Sequence, residues 1–263
     1  MTTPTPAAPV RYPIICDLDG VIWLADDPIP GSADAVARLR AAGHRVLFVT
    51  NFSFGLPSEI EEKLATHGIE AVGDVVTSAQ AAVALVRAGE RVQVCAGPGV
   101  RSEVERRGAI VVDREGPADA VIVGFHRTFD YDAMRCAATA VRRGARLIGT
   151  NDDATYPTPD GPIPGGGAIL ASVATGAGVQ PTVAGKPYAP MADLVRELLG
   201  SLPPGTIMVG DRPDTDGRFA RTLGCRFGLV HTGVSRPGER VDPAPELEAP
   251  DLTALADLVL AER

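Results

Sequence analysis

A chain of 263 residues with 45% hydrophobic and 22% charged content can bury the core of one large domain or two modest ones. Its 33 acidic and 25 basic residues leave a net charge of −8, which argues against the basic footprint that nucleic acid or an anionic membrane surface would need. No apolar run approaches the ~18 residues of a membrane helix, and Cys16, Cys95, Cys136 and Cys225 lack CxxC or metal-ligand spacing, so they read as reduced, buried thiols of a cytoplasmic protein.

The predicted elements alternate strand and helix from end to end, the pattern of an α/β protein with a largely parallel sheet. Residues 1–10 have neither a charged n-region nor an apolar h-region and read as a loose tail, not a signal peptide. An apolar run at 14–16 predicts the first strand, a polar loop follows, and a helix covers 32–42. The run 46–49 predicts a strand that stops at Thr50-Asn51. Ser58-Glu59-Ile60-Glu61 fits a capping box, with Ile60 and Leu64 on one helix face and Gly68 as the stop. Val75-Val76 then ends at Thr77-Ser78.

From Ala79 a second set begins: a helix to 87, a strand at 92–94, a helix at 100–107, strands at 110–112 and 121–123, a helix at 131–143 and a strand at 146–148. The stretch 155–167 is dense in Pro and Gly, a constrained loop of the kind that carries function. Strands resume at 182–183, 207–209 and 227–230; residues 236–250 read as a linker, and a helix at 252–261 closes the chain.

In an open α/β sheet the ligand site lies beyond the carboxyl ends of the strands. The residues at those ends are Asp17 and Asp19, Thr50-Asn51, Lys186, and Asp211 with Asp216. Each has a bland reading alone. A DxDG segment can bind calcium or turn the chain, a lysine after a strand is commonly solvated, and the aspartates of GDRPDTD can favour a helix N-terminus. Four carboxylates, one ammonium and one hydroxyl, each following an apolar run, are hard to obtain from structural needs alone.

Crowded carboxylates repel unless a divalent cation neutralises them. Mg2+ prefers few protein oxygens and keeps waters and a substrate phosphate oxygen, a count that the Asp17 and Asp211 side chains plus one backbone carbonyl satisfy. Asp17 then reads as the nucleophile of an aspartyl-phosphate reaction. Asp19, on the same side of an extended segment, reads as the acid for the leaving oxygen and the base for the hydrolytic water. Thr50, Asn51, nearby backbone amides and Lys186 supply donors to the phosphoryl oxygens.

Asp17-Leu18-Asp19-Gly20-Val21, Thr50-Asn51, Gly185-Lys186-Pro187 and Gly210-Asp211-Arg212 through Thr215-Asp216 resemble the four motifs of the haloacid dehalogenase superfamily. Thr150-Asn151 with Asp153, Tyr156-Pro157, Gly161 and Pro164-Gly165 through Gly167 resemble the insert of its subclass IIA phosphatases, the p-nitrophenyl and phosphoglycolate phosphatase branch. The dehalogenases themselves lack an acid/base carboxylate where Asp19 stands.

The resemblance implies a Rossmann-like three-layer parallel-sheet core from residues 1–78 and 183–263, with a large α/β cap for substrate specificity inserted at 79–182. It also implies the Asp19 backbone carbonyl as a metal ligand and Asp216 as the partner that orients metal waters or Lys186. The implied substrate is a small phosphorylated metabolite, and caps of this family often pair into homodimers.

This sequence departs from the family at three places. Phe52 follows Thr50-Asn51 where a small polar residue is usual, and Pro213 and Gly217 replace aliphatic residues of the fourth motif. None removes a reacting group, so they bear on substrate fit and helix stability. Phe125-His126 stands where the branch often carries an aromatic residue followed by Asp, and Tyr156 where some pyridoxal-phosphate phosphatases carry His. Phe125, His126 and Tyr156 are therefore the candidate leaving-group contacts, against a first reading of His126 as a loop or satisfied histidine and an equal reading of Tyr156 as a packing residue. Trp23 reads as a packing residue. Two rival readings of function are an idle phosphate-binding or regulatory module and a phosphomutase. The presence of both Asp17 and Asp19 opposes the first, and the IIA-like insert opposes the second.

Overall fold

The computed structural model describes residues 11–156 and 161–262; the tail at 1–10 and Pro157 of the insert motif lie outside the described residues. The chain opens with β1 (Ile14–Cys16), whose side chains alternate: Ile14 and Cys16 join one apolar cluster and Ile15 another. That period of two lets a short strand hold helices on both faces of a sheet, as buried parallel strands require. A small hairpin, β2 (Trp23–Leu24) with β3 (Asp27–Pro28), follows the loop after β1. Then come α1 (Ser32–Ala41), β4 (Val46–Thr50), α2 (Pro57–Thr66), β5 (Val75–Thr77) and α3 (Ser78–Ala84).

The next elements are β6 (Arg91–Cys95), α4 (Pro98–Arg106), β7 (Ile110–Val112), β8 (Ala120–Val123), α5 (Tyr131–Arg142) and β9 (Arg146–Gly149). The antiparallel pair β10 (Thr155–Tyr156) and β11 (Ile163–Pro164) precedes α6 (Gly166–Ala177) and β12 (Thr182–Val183). The chain ends through α7 (Ala189–Leu199), β13 (Ile207–Gly210), α8 (Arg218–Leu223), β14 (Arg226–Val230), β15 (Leu247–Ala249) and α9 (Leu252–Ala261).

Two parallel sheets result, a six-stranded one in the order β15-β14-β13-β1-β4-β5 and a five-stranded one in the order β12-β9-β8-β6-β7. The fold is a Rossmann-like core with an inserted α/β unit. In the first sheet β1 lies between β4 and β13, where the strand order reverses, the crevice in which such sheets bind ligands. One face packs on Val36 and Leu39 of α1 and Leu255 and Val259 of α9; the other packs on Met191 and Val195 of α7 and Phe219 of α8. The second cluster continues through Ala79, Ala82 and Val83 of α3 into Val92, Ile122 and Ile148 of the inserted sheet. Core and insert are thus joined by shared apolar burial as well as by chain connections.

The structure revises several sequence expectations. The box at the start of α2 is shifted: Pro57 is the first helical residue, and the Glu59 carboxylate accepts the Leu56 N–H at 2.9 Å. Proline is favoured there because its missing N–H is an orphan donor anyway. The expected linker at 236–250 contains β15, which extends the sheet by pairing with β14. Helix α6 was hidden by Gly166 and Gly167, weak helix formers. It is held by Leu170 and Val173 packing on Val121, Val123 and Leu147.

Candidate active site

The site forms where β1, β4 and β13 end together. The Asp17 N–H donates to Val209 O at 2.9 Å, so the nucleophile candidate leaves β1 pinned to the end of β13. Its Oδ1 accepts the Leu18 N–H at 2.8 Å and lies 2.7 Å from Lys186 Nζ. Lys186 Nζ also lies 2.8 Å from Asp216 Oδ1. A lysine only 2% exposed is tolerable because two carboxylates neutralise it. Burial alone would lower the Lys186 ammonium, but Asp17 and Asp216 raise it well above the ordinary lysine range. Burial pushes the Asp17 carboxyl up, and Lys186 opposes that rise.

Asp216 is fixed from both sides, since its Oδ2 accepts the Arg212 N–H at 3.2 Å. The wide turn Pro213–Gly217 makes this possible, with the Asp216 N–H closing on Arg212 O at 2.7 Å. Burial and the neighbouring Asp17 charge push the Asp216 carboxyl up to about 6 despite Lys186.

Carboxylate oxygens of Asp17, Asp211 and Asp216 lie within 4.8 Å of one another. Asp211 Oδ2 accepts the Val234 N–H at 2.7 Å, whereas its buried Oδ1 has no hydrogen-bond partner among the described residues. Burial, then Asp216 and Asp17, push the Asp211 carboxyl up to about 8. A buried carboxylate oxygen without a donor, set among other acids, is a costly arrangement that a divalent cation would relieve. These residues fit such an ion. Gly20 is required beside Asp211: its φ of +81° lies in the left-handed region that favours glycine, and an added Cβ would lie 2.5 Å from the Asp211 carboxyl carbon.

Asp19 lines the same cavity as Lys186. Its Oδ1 accepts the Trp23 indole N–H at 3.1 Å, and burial raises its carboxyl although that hydrogen bond opposes the rise. Thr50 is 2% exposed and lines the same cavity. Asn51 also reaches the cavity, but its side-chain amide is engaged by Lys186 and Asp153.

The cavity, of about 520 Å³, runs from Asp17, Asp19 and Lys186 to Phe125 and Tyr156 of the inserted unit. Those two rings stack with centroids 5.6 Å apart, and Phe54 meets Phe125 edge-on at 6.1 Å. His126 is placed elsewhere, as a satisfied histidine and not as the leaving-group contact it was a candidate for. It is buried, with Nδ1 3.3 Å from Thr128 Oγ1, Nε2 3.7 Å from Cys95 Sγ and its ring edge-on to Phe129. Neighbouring residues in extended backbone point to opposite sides, so Phe125 facing the cavity sends His126 into the inserted unit. Sequence reasoning missed Leu24, Ala25 and Asp27 of the hairpin and Val234, which also line the cavity. They carry no motif, and only the chain path brings them there.

Residues 14–110 match the family model described as haloacid dehalogenase-like hydrolase, and residues 183–255 match a second HAD-like hydrolase model. The 5'-nucleotidase YutF of Bacillus subtilis is 32% identical over 232 residues, covering 87% of this chain and 90% of that protein. The 4-nitrophenylphosphatase structure from Thermotoga maritima superposes with a TM-score of 0.86 at 31% identity, covering 95% of this chain and 97% of the other. The glycerol phosphate phosphatase from Mycobacterium tuberculosis, solved in complex with calcium, gives a TM-score of 0.85 at 32% identity, covering 94% and 76%. The fold and site thus define a phosphoric monoester hydrolase. The chain belongs to the haloacid dehalogenase superfamily, in its subclass IIA phosphatase branch. No helix among the described residues is long and apolar enough to cross a membrane.

Proposed function

We propose that this phosphatase is Mg2+-dependent and hydrolyses a small phosphorylated metabolite through an aspartyl-phosphate on Asp17. The observation that carries the reading is the Lys186 ammonium 2.7 Å from Asp17 together with the buried Asp211 Oδ1, which has no hydrogen-bond partner among the described residues. Asp17, Asp211 and the Asp19 backbone carbonyl would hold the ion, with Asp216 orienting its surroundings. When bound, it supplies charge neutralisation for the carboxylates and the phosphoryl oxygens.

The residues divide the chemistry between them. A carboxylate oxygen of Asp17 forms a bond to phosphorus as the bond to the leaving oxygen breaks, and protonated Asp19 gives its proton to that oxygen. Asp19, now a carboxylate, takes a proton from water as the water oxygen attacks phosphorus. The acyl-phosphate bond breaks, phosphate departs and Asp17 is restored. The burial that raises Asp19 favours the protonated form needed first. Lys186, Thr50 and the backbone amides of the loop after β4 stabilise the phosphoryl oxygens.

The inserted unit, taken as residues 79–182, acts as the cap that selects the leaving group through Phe125 and Tyr156. A cavity of about 520 Å³ suits a small metabolite. The test is phosphate release from a panel of phosphomonoesters with Mg2+ and with chelator. Acid quenching with labelled substrate should leave phosphate on wild-type protein and none on the Asp17→Asn variant. Absence of metal-dependent release across the panel would overturn the reading.

A further inference from the structure

Asn51 stands at the junction of three chain segments. Its Oδ1 accepts the Lys186 N–H at 2.8 Å, and its Nδ2 donates to Lys186 O at 3.0 Å and to Asp153 Oδ2 at 3.0 Å. The amide therefore grips both backbone groups of Lys186 and spends its remaining hydrogen on the inserted unit. Its orientation is fixed, because a flip would set an NH2 against the Lys186 N–H and an oxygen against two acceptors.

The contacts close into a circuit. The Asp153 N–H donates to Asn151 Oδ1 at 3.2 Å, and Asn151 Nδ2 donates to Asn51 O at 2.8 Å. Beside it the Gly185 N–H donates to Thr150 O at 2.8 Å. A Cβ on Gly185 would lie 2.5 Å from Asn51 Oδ1 and 2.6 Å from Thr150 O, so the lysine loop can approach both segments only as glycine.

We propose that Asp153 of the inserted unit is a positioning residue for phosphoryl binding, holding the Lys186 loop in place through Asn51. It rests on the reading of Lys186 as a phosphoryl ligand. The inserted unit then supplies part of the scaffold of the reacting end as well as the leaving-group surface. Truncating Asp153 leaves one Asn51 N–H without its acceptor and frees the amide that clamps Lys186. A misplacement of about 1 Å in a catalytic group can reduce rate about a hundredfold.

The experiment compares kcat/KM of wild type, Asp153→Ala, Asp153→Ser and Asp153→Asn on a small aryl phosphate and on bulkier alkyl phosphates, with folding checked by thermal unfolding. Asp153→Ala and the better-tolerated Asp153→Ser are expected to lose about ten- to a hundredfold, by the same factor on every substrate. Asp153→Asn keeps an acceptor oxygen and should retain most of the activity. In an Asn51→Ala background, Asp153→Ala should cause little further loss, because the link it acts through is already gone. Unequal losses across substrates would make Asp153 a leaving-group contact, and unchanged activity in both truncations, or additive losses with Asn51→Ala, would equally overturn the proposal. Wild-type protein inert on the whole panel would instead sink the phosphatase mechanism beneath it.

Discussion

The indole N–H of Trp23 donates to Oδ1 of Asp19 at 3.1 Å, and Lys63 Nζ stands 4.5 Å from the centre of the same ring. Lys63 is held in turn by Ala25 O at 2.7 Å and Asp26 at 3.1 Å. Trp23 is 4% exposed, so it packs as expected, but it also fixes the carboxyl proposed as the acid.

Trp23→Phe keeps most of the packing and removes the donor. Losing the contact that orients the Asp19 carboxyl should cost about ten- to a hundredfold in rate, since a misplacement of about 1 Å in a catalytic group can cost about a hundredfold. The expected loss in kcat/KM is large for alkyl phosphates, whose leaving oxygen needs a proton, and small for p-nitrophenyl phosphate. Equal losses on both would assign Trp23 a packing role alone.

Asp17→Asn should fold and lose nearly all turnover, because an amide oxygen is a poor nucleophile and a weaker metal ligand. Steady-state assays beside a thermal unfolding curve check this. Clear residual activity in a clean preparation would remove Asp17 from the nucleophile role.

Metal-linked stability should depend on pH. Asp211 and Asp216 are raised to about 8 and about 6 from 3.8, so the metal-free folded chain holds protons that the unfolded chain has released. Their contribution to metal-free stability is therefore fullest at low pH and is lost as pH rises from about 4 through about 8. A cation binds the deprotonated carboxylates, so stabilisation by Mg2+ should grow across that window. Thermal unfolding with and without Mg2+ at about pH 5 and about pH 8 measures it. A larger Mg2+ effect at the lower pH would contradict the assignment.

Lys186→Met should depress every substrate alike, since all share the phosphoryl group. Tyr156→Ala should change the ranking of substrates while a small activated aryl phosphate is still hydrolysed, because its ring acts on the remote part of the substrate. His126→Ala should leave the ranking intact, given its burial beside Cys95 and Phe129. Specificity constants for all three variants on one panel decide the matter.

What the sequence by itself determined was the order of elements and the chemistry at strand ends. Asp17, Asp19, Thr50, Asp211 and Asp216 were legible because each directly follows, or lies close after, a short apolar run of β1, β4 or β13, parallel strands that deliver their carboxyl ends to one edge. Lys186 was legible because it too closely follows an apolar run, although its strand β12 belongs to the other sheet. Tertiary structure alone decided which way His126 turns, that Asn51 clamps the Lys186 backbone, and that Trp23 reaches Asp19. It also brought Asp153 to Asn51, 102 positions away in the chain. Local periodicity records which face of a strand is buried. It carries no record of the side-chain hydrogen bonds formed when distant segments meet, because those depend on how the two sheets dock.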